Sequence, residues 1–186
     1  MKEIFLTRLR DRKTAIHQFR SAAQGLIGLL LDEAADLISP LKPSAERIVL
    51  VPILRAGLAF LDPALKMFPS APVGILGMRR DERTAIPHLY YQNLPALTQN
   101  DWIFILDPML ATGGSSRLAL ELVQKAGASL SKTVLISIIA AREGTEAIRR
   151  HFPETRQVFG AIDPDLDGRK FIVPGLGDFG DRYFGT

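Results

Sequence analysis

The sequence predicts an α/β fold built on a mostly parallel open sheet flanked by helices. Four short apolar runs rich in β-branched residues, with a weaker fifth run, are typical of strands buried on both faces. Helical patterns lie between most of these runs, and this alternation favours parallel strands joined by helical crossovers. The 186 residues, 47% of them hydrophobic, are enough for one core of ordinary size, so we expect a single domain over residues 1–186.

The expected elements follow one another in a regular order. Apolar residues three or four positions apart predict a helix over 14–38, with Thr14 as its N-cap, within an N-terminal helical region spanning 1–46. The expected strands are RIVLVPIL (47–54), APVGILGM (71–78), DWIFILD (101–107), KTVLISIIAA (132–141) and, more weakly, QVFGAID (157–163). The helical patterns are LAFLDPALKMF (58–68), SSRLALELVQKAG (115–127) and EGTEAIRRHF (143–152).

Two long stretches interrupt this alternation. They are RRDERTAIPHLYYQNLPALTQN (79–100) and PDLDGRKFIVPGLGDFGDRYFGT (164–186). In a compact domain, long segments of this kind are often lids or binding loops. We therefore expect both to have a part in ligand binding.

Charge and cysteine content exclude several classes of function. The net charge is +3 and the basic residues are scattered, which does not indicate a nucleic-acid partner but suits a phosphorylated small molecule. The absence of cysteine excludes disulfides, thiolate metal sites and thiol nucleophiles. The stretch MKEIFLTRLRDRKT lacks the apolar core of a signal peptide and no apolar run could span a bilayer, so we expect a cytoplasmic protein without a membrane partner.

The stretch LDPMLATGGSS (106–116) follows the apolar run WIFI and leads into a helix expected to start near Ser115. Open α/β sheets bind ligands where their strands end in this way. Small side chains and free N–H groups at a helix N-terminus favour a phosphate, and the donors would come from Thr112, Gly113, Gly114, Ser115 and Ser116. No lysine is present, so the loop does not match the P-loop of nucleoside triphosphatases. On the loop alone, a tight turn before a capped helix remains the alternative.

Asp107 ends the strand just ahead of this loop, in position to accept hydrogen bonds from hydroxyl groups. An acid for sugar hydroxyls, followed by amides for a phosphate, indicates a ribose 5-phosphate. FILDPMLATGGSS resembles the phosphoribosyl-diphosphate-binding signature of the type I phosphoribosyltransferases, most of which carry two adjacent acids here. Asp107 followed by Pro108 resembles the uracil phosphoribosyltransferase branch instead. Other segments resemble the same family in order: LRDRKTAIHQFR (9–20), VPILRAGLAFLD (51–62), GMRRDERT (77–84) and FIVPGLGDFGDRYFGT (171–186).

This resemblance implies a type I phosphoribosyltransferase-like fold in which a C-terminal base-binding tail, residues 164–186, forms a hood over the site. It implies transfer of phosphoribosyl from 5-phospho-α-D-ribose 1-diphosphate to N1 of uracil, giving UMP and diphosphate. It also implies a homodimer or higher homo-oligomer, and Mg²⁺ bound through the diphosphate rather than directly by protein side chains. The residues implied as catalytic are Arg55, Arg80, Asp107 and Asp178. Those implied for phosphoribosyl diphosphate are Arg55, Arg80, Asp107, Pro108, Met109, Leu110, Ala111, Thr112, Gly113, Gly114, Ser115 and Asp178, and those implied for uracil are Ile172, Gly177, Asp178 and Phe179.

The tail segment GLGDFG (175–180) also spells G-x-G-x-x-G, but Pro174 precedes it and six residues follow it here, so no βαβ unit surrounds it. Its glycines instead predict a close approach of backbone to a flat ligand. Uracil offers two carbonyl acceptors flanking an N–H donor, a pattern that backbone groups can match. Cytosine would leave a buried amide unpaired, and discrimination would follow from that mismatch.

The chain departs from the family in three places. The segment between the first helix and RIVLV is short, Phe179 stands where alanine is common, and Arg79 stands where tyrosine is frequent. The histidines, His17, His88 and His151, have no metal-ligand spacing and are expected to be structural or solvated. Two alternatives remain: a type I phosphoribosyltransferase for another base, and a non-catalytic ligand sensor of the same fold.

Overall fold

The computed structural model describes residues 1–38, 46–80 and 87–186. The described helices are α1 (Lys2–Arg10), α2 (Ile16–Ile38), α3 (Leu61–Met67), α4 (Gly114–Lys125), α5 (Arg142–His151) and α6 (Phe179–Phe184), with 3₁₀ segments at Ala56–Phe60 and Leu130–Lys132. The described strands are β1 (Ile48–Leu54), β2 (Ile75–Arg80), β3 (Pro87–Asn93), β4 (Trp102–Leu106), β5 (Met109–Leu110), β6 (Thr133–Ala141), β7 (Arg156–Asp163), β8 (Asp165–Leu166) and β9 (Ile172–Val173).

One sheet organises the molecule, with strands in the order β3-β2-β1-β4-β6-β7. All of its pairings are parallel except that of β3, which runs antiparallel to β2. The short strand β5 pairs with β6 beyond the end of β4, on the same side of β6. The expected α/β class with a mostly parallel open sheet is therefore confirmed.

Alternate residues of the central strands face two separate helical layers. Leu50 and Phe104 belong to the core that α1, α2 and α3 cover, and this core also holds Phe179 of the tail. Val49 and Ile105 belong to the core on the opposite face, which α4 and α5 cover. Burial on both faces explains why these strands are continuous apolar runs rather than alternating ones.

Most of the expected elements are present, and three differences have physical reasons. Thr14 is not an N-cap, because its hydroxyl donates to the carbonyl of Arg8 and α2 begins at Ile16. Helix α1 lies in the expected helical region 1–46 but was not predicted as a separate helix, since only Leu6 and Leu9 of its nine residues are buried and no broad apolar face results. Strand β3 arises within the expected loop 79–100, where an exposed edge strand lacks apolar alternation.

Other sequence expectations fall on residues outside the described ranges. The short segment before β1 includes 39–45, and the lid motif GMRRDERT includes 81–84. Among the described helices, none combines the length and the apolar character needed to cross a bilayer.

The tail packs back across the sheet onto the amino-terminal helices. Strands β8 and β9 form a two-stranded antiparallel ribbon, and α6 follows a turn. The Phe179 ring is fully buried and lies 5.4 Å from the Phe19 ring of α2, between ring centroids. This contact anchors the tail beside the carboxyl edge of the sheet.

Candidate active site

The carboxyl ends of the central strands place several of the expected site residues at one edge of the sheet. Arg55 follows β1, and Asp107 follows β4. Asp107 and Pro108 interrupt the strand, yet the Asp107 N–H donates to Ile136 at 3.2 Å and the Pro108 carbonyl accepts from Ile139 at 3.1 Å. Both sides of the interruption remain hydrogen-bonded to β6, so the Asp107 backbone is fixed at this edge of the sheet.

Residues 109–115, which we call the phosphate loop after the ligand that the sequence predicts there, comprise β5, a turn and the start of α4. Gly113 has φ 84°, a left-handed conformation that side chains disfavour, and it precedes the first turn of α4. A small recess is lined by Asp107, Met109, Leu110, Ala111, Gly113, Gly114, Ser115 and Ser116. The Ser116 hydroxyl there is buried and has no hydrogen-bond partner among the described residues. Orphan donors at a helix N-terminus are suited to an anion.

Close backbone contacts pack α5 against this loop and the segment after Arg55 against β4. A Cβ added to Gly144 of α5 would lie 2.3 Å from the Ala111 carbonyl oxygen. A Cβ added to Gly57 would lie 2.4 Å from the Leu106 carbonyl oxygen. The close approach that Gly57 permits is therefore one between the Arg55 loop and β4.

Arg55 is half-exposed and is held by residues of the tail. Its Nη2 lies 3.3 Å from Asp181 Oδ1 and 3.4 Å from the Thr186 hydroxyl. The guanidinium carbon lies 5.7 Å from the centre of the Phe184 ring. The peptide bond between Leu54 and Arg55 is cis. One guanidinium edge is thus engaged by the tail.

The turn at residues 174–178, which we call the tail turn, has an unusual backbone. The Val173–Pro174 peptide is cis, and Gly175 and Gly177 have φ 61° and 85°. The exposed Asp178 caps α6 by accepting the Asp181 N–H at 2.9 Å. The Phe179 nitrogen lies 3.4 Å from the Met109 sulfur, so the main chain just after the tail turn meets the Met109 side chain of the phosphate loop.

A buried ion pair that sequence reasoning missed braces the tail turn. Arg10 of α1 donates to both carboxyl oxygens of Asp163, at 2.8 and 2.6 Å, and to the Gly175 carbonyl at 2.9 Å. Asp163 also accepts the Gly175 N–H at 2.7 Å. Burial raises the pKa of Asp163, but the hydrogen bonds from Arg10 and Gly175 and the Arg10 charge outweigh it and hold the pKa below its ordinary value. The one sequence signal near Arg10 is the segment LRDRK, which lies within a stretch that resembles the family. It did not indicate the ion pair with Asp163.

The hood and the phosphate loop enclose a common cavity of about 610 Å³. Met109 and Ala111 line it from the loop, and Ile172 and Asp178 line it from the tail. The remaining lining residues, which the sequence did not single out, are Gly168, Arg169, Lys170 and Phe171. These four residues form the tip of the β8–β9 ribbon. Asp167 shapes the tip by accepting hydrogen bonds from the N–H groups of Arg169 and Phe171, at 2.8 and 2.9 Å. An Asp-Gly pair, read as a turn signal, could have revealed that tip.

The other residues singled out in the sequence lie partly at the carboxyl edge of the sheet and partly elsewhere. Arg55 lies in a second cavity of about 750 Å³ that Met78, Arg79, His88 and Tyr90 also line. Arg80 ends β2, and its side chain is outside the described part of the structure. The other histidines are exposed on helices, and His151 Nδ1 lies 2.8 Å from the Ala147 carbonyl oxygen. The described ranges contain no group of three or more His, Asp or Glu side chains arranged to hold a metal.

The fold is that of the type I phosphoribosyltransferases. Solved structures of hypoxanthine phosphoribosyltransferase from Trypanosoma cruzi share this fold, one with TM-score 0.55 at 13% identity over 79% of this chain and 75% of that one. A protein from Aquifex aeolicus is much nearer, with TM-score 0.91 and 36% identity over 100% of this chain and 94% of that one.

The sequence comparisons narrow the class to one family. A family model for uracil phosphoribosyltransferase matches residues 39–186. The uracil phosphoribosyltransferase of Thermus thermophilus is 42% identical, and that of Roseiflexus castenholzii 43%; both alignments cover 97% of this chain, with 93% and 92% of the relatives. The chain belongs to the uracil phosphoribosyltransferase family.

Proposed function

We propose that this protein transfers the phosphoribosyl group from 5-phospho-α-D-ribose 1-diphosphate to N1 of uracil, giving UMP and diphosphate. The observation that carries the proposal is the cavity shared by the phosphate loop and the hood, with Met109 and Ala111 on one side and Ile172 and Asp178 on the other. A substrate whose phosphate lies at the loop would extend its ribose and base beneath the hood. The relatives that cover nearly the whole chain bear the name of this activity.

The phosphate loop is suited to the 5-phosphate of the substrate. Its N–H groups and the hydroxyls of Thr112 and Ser115 surround the N-terminus of the twelve-residue helix α4. The positive end of the helix dipole adds to these hydrogen bonds. Asp107, placed between β4 and the loop, would accept hydrogen bonds from the ribose hydroxyls. Pro108 and Leu110 would contribute to this segment through their main chain, and both residues are buried.

Arg55 and Arg80 would hold the diphosphate as it leaves. The bond from C1 to the diphosphate breaks through a state resembling an oxocarbenium ion, so negative charge grows on the leaving group. Charge-assisted hydrogen bonds from guanidinium strengthen as that charge grows, and they therefore stabilise the transition state more than the ground state. Positioning and electrostatics suffice for this reaction, and no protein nucleophile is required.

The tail turn would read the base through its main chain. Gly177 and Phe179 flank Asp178, which lines the cavity together with the buried Ile172. The Phe179 N–H currently faces the Met109 sulfur, a weak acceptor. Exchanging that acceptor for a carbonyl oxygen of uracil would cost little. Asp178, exposed beside this turn, would reach toward the ribosyl diphosphate.

Mg²⁺ would act with the diphosphate. The oxygen donors at this edge suit a hard cation, but Asp107 and Asp178 lie on separate segments, and Asp178 already caps α6. These oxygen donors fit a metal that arrives bound to the substrate diphosphate and is not coordinated directly by protein side chains. When bound, Mg²⁺ would neutralise charge on the leaving diphosphate.

A homodimer or higher homo-oligomer is part of the proposal. Strand β3 is an exposed sheet edge that carries Leu89, Tyr90 and Tyr91 on its surface. Edge strands with exposed apolar side chains are surfaces on which chains associate. Light scattering after size-exclusion chromatography would test this, and a monomer at micromolar concentration would contradict it.

A coupled assay with phosphoribosyl diphosphate and Mg²⁺ tests the function, using uracil, cytosine, hypoxanthine and orotate as acceptors. We expect UMP from uracil and no comparable turnover of the other bases. Asp107→Asn should lose most activity, whereas Asp32→Asn on the exposed face of α2 serves as the matched control. Comparable turnover of hypoxanthine or orotate would refute the assignment, and undiminished activity in excess chelator would refute the role of Mg²⁺.

A further inference from the structure

A second cavity opens beside Arg55 at the carboxyl edge of the sheet. It is lined by Arg55, Met78, Arg79, His88 and Tyr90 and has a volume of about 750 Å³. None of these residues lines the cavity beneath the hood. Apart from Arg55, none belongs to the sites that the family resemblance implies.

Strand pairing explains why these side chains meet. Arg79 of β2 pairs directly with His88 of β3, and directly opposed residues of antiparallel strands project to the same face. The Tyr90 ring lies against Gly77, where an added Cβ would be 2.6 Å from a ring carbon. Gly77 in turn pairs with Leu54, the residue before Arg55. The hairpin thus carries a guanidinium, an imidazole and a phenol to the end of β1.

The chemistry of this lining favours an anion with many acceptor oxygens. Two guanidinium groups offer planar pairs of donors, a geometry that matches phosphate. The imidazole and the phenol add further donors. None of the described lining residues is acidic, and Asp181 engages Arg55 only at its Nη2 edge. A diphosphate, with several charged oxygens spread over two phosphorus centres, can use all four side chains.

We propose that Arg79, His88 and Tyr90 extend the site of Arg55 into a binding site for diphosphate, both as the leaving group of the substrate and as the released product. The identity of the ligand rests on the proposed function, whereas the anion site itself rests on the geometry. The site retains the product after transfer, so diphosphate inhibits competitively against phosphoribosyl diphosphate.

Titration calorimetry with inorganic diphosphate and Mg²⁺ tests the site directly. We expect Arg79→Ala to weaken diphosphate binding about tenfold and His88→Ala to weaken it about threefold, the scale of losing one charge-assisted or one ordinary hydrogen bond. Tyr90→Phe, which removes only the hydroxyl, should have an effect similar to that of His88→Ala. The inhibition constant of diphosphate should rise in parallel, while KM for uracil stays unchanged. Arg79→Lys should restore part of the affinity because it keeps the charge.

Two exposed residues on the amino-terminal helices supply matched controls. Arg8→Ala and His17→Ala remove the same side chains far along the chain from this hairpin and should bind diphosphate as the wild type does. Wild-type affinity in both Arg79→Ala and His88→Ala would overturn the inference, as would an equal loss in the controls. If the wild type binds diphosphate but forms no UMP, the proposed function fails and the anion site stands. If UMP forms and the hairpin variants bind normally, only this inference fails.

Discussion

Arg10 and Asp163 form a two-point ion pair, with guanidinium nitrogens 2.8 and 2.6 Å from the two carboxyl oxygens. The pair joins α1 to the end of β7, and the Asp163 side chain is 4% exposed. Both partners also hydrogen-bond Gly175, so the pair fixes the tail turn at its N–H and at its carbonyl. The position of the proposed base-reading backbone therefore depends on a residue near the opposite end of the sequence.

Arg10→Ala should destabilise the protein by about 3 kcal/mol, because it leaves a buried carboxylate without its cation. KM for uracil should rise more than KM for phosphoribosyl diphosphate, since the tail turn loses its brace. Urea unfolding and steady-state kinetics measure the two effects. Arg8→Ala, at an exposed position of the same helix, should change stability by less than about 0.5 kcal/mol. An Arg10 variant as stable as this control would show that the pair has no net effect.

Acid should weaken the fold through Asp163 and Asp101. The pKa of Asp101 is lowered by its hydrogen bonds from Arg47 and Thr98, and that of Asp163 is lowered despite its burial. A carboxyl whose pKa is lower in the folded state stabilises the fold in full at pH values above its ordinary pKa of about 3.9. This contribution to the free energy of unfolding is lost as the pH falls through the folded-state pKa. Urea unfolding from pH 7 to pH 3 should show a falling stability that is shallower in Asp163→Asn. Parallel curves for the two proteins would contradict this account.

Gly144→Ala should disturb the phosphate loop, because the new methyl group would meet the Ala111 carbonyl oxygen at 2.3 Å. We expect a loss of about 1–3 kcal/mol, as for other overpacked sites, and weaker binding of phosphoribosyl diphosphate. Gly28→Ala is the matched control, since its Cβ would have no atom within 4 Å and it lies inside α2. That substitution should stabilise the protein by about 0.5–1 kcal/mol. Equal stability of the two variants, in thermal unfolding, would argue against a packed loop.

Arg80→Ala should lower kcat/KM for phosphoribosyl diphosphate by about 30- to 1,000-fold, or about 2–4 kcal/mol of transition-state stabilisation. Stability should change by less than about 0.5 kcal/mol, as for ordinary surface positions. If the variant unfolds, Arg80 has a structural role. If it retains wild-type kcat/KM, the arginine that covers the diphosphate is Arg79 or neither of the two.

Phe179 should matter for folding more than for base choice. Its ring is buried between Phe19 and Tyr183, each 5.4 Å away between centroids, while its N–H faces the phosphate loop. Phe179→Ala should cost about 3–5 kcal/mol by leaving a cavity. Phe179→Leu should keep the preference for uracil over cytosine, because the contact that we propose with the base is made by the main chain. A changed base preference in the leucine variant, measured by competition, would show that the ring itself reads the base.

The sequence predicted those strands that are buried on both faces, because burial restricts them to apolar residues. Strands β1, β4 and β6 are enclosed on both faces, so only apolar residues fit and the runs are unmistakable. Strand β3 is exposed over most of its length, and helix α6 has only six residues, so neither leaves a periodic signal. Motif resemblance identified the family, whereas phosphate binding by the loop, the cytoplasmic location and the role of each site residue remain predictions.

The missed site residues have a common physical cause. Arg10 and Asp163 are 153 positions apart. His88 lines a cavity with Arg55 because β3 pairs with β2 and β2 pairs with β1. A single sequence carries periodicity and local motifs, but it does not state which distant side chains will share a cavity. The ribbon tip at Gly168–Phe171 was also not singled out, since its one turn signal, the Asp167-Gly168 pair, is common in loops and does not identify a cavity.

The bond between Arg10 and the Gly175 carbonyl spans 165 positions of the chain. Closing so long a loop is entropically unfavourable until the sheet between its ends has formed, and contacts of large sequence separation slow folding. The tail turn should therefore take its final shape last, after the carboxyl edge of the sheet has formed. During refolding, the β4 and β6 amides should become protected from hydrogen exchange before uracil binding recovers. A partly folded species should then bind the phosphorylated sugar before it can select a base.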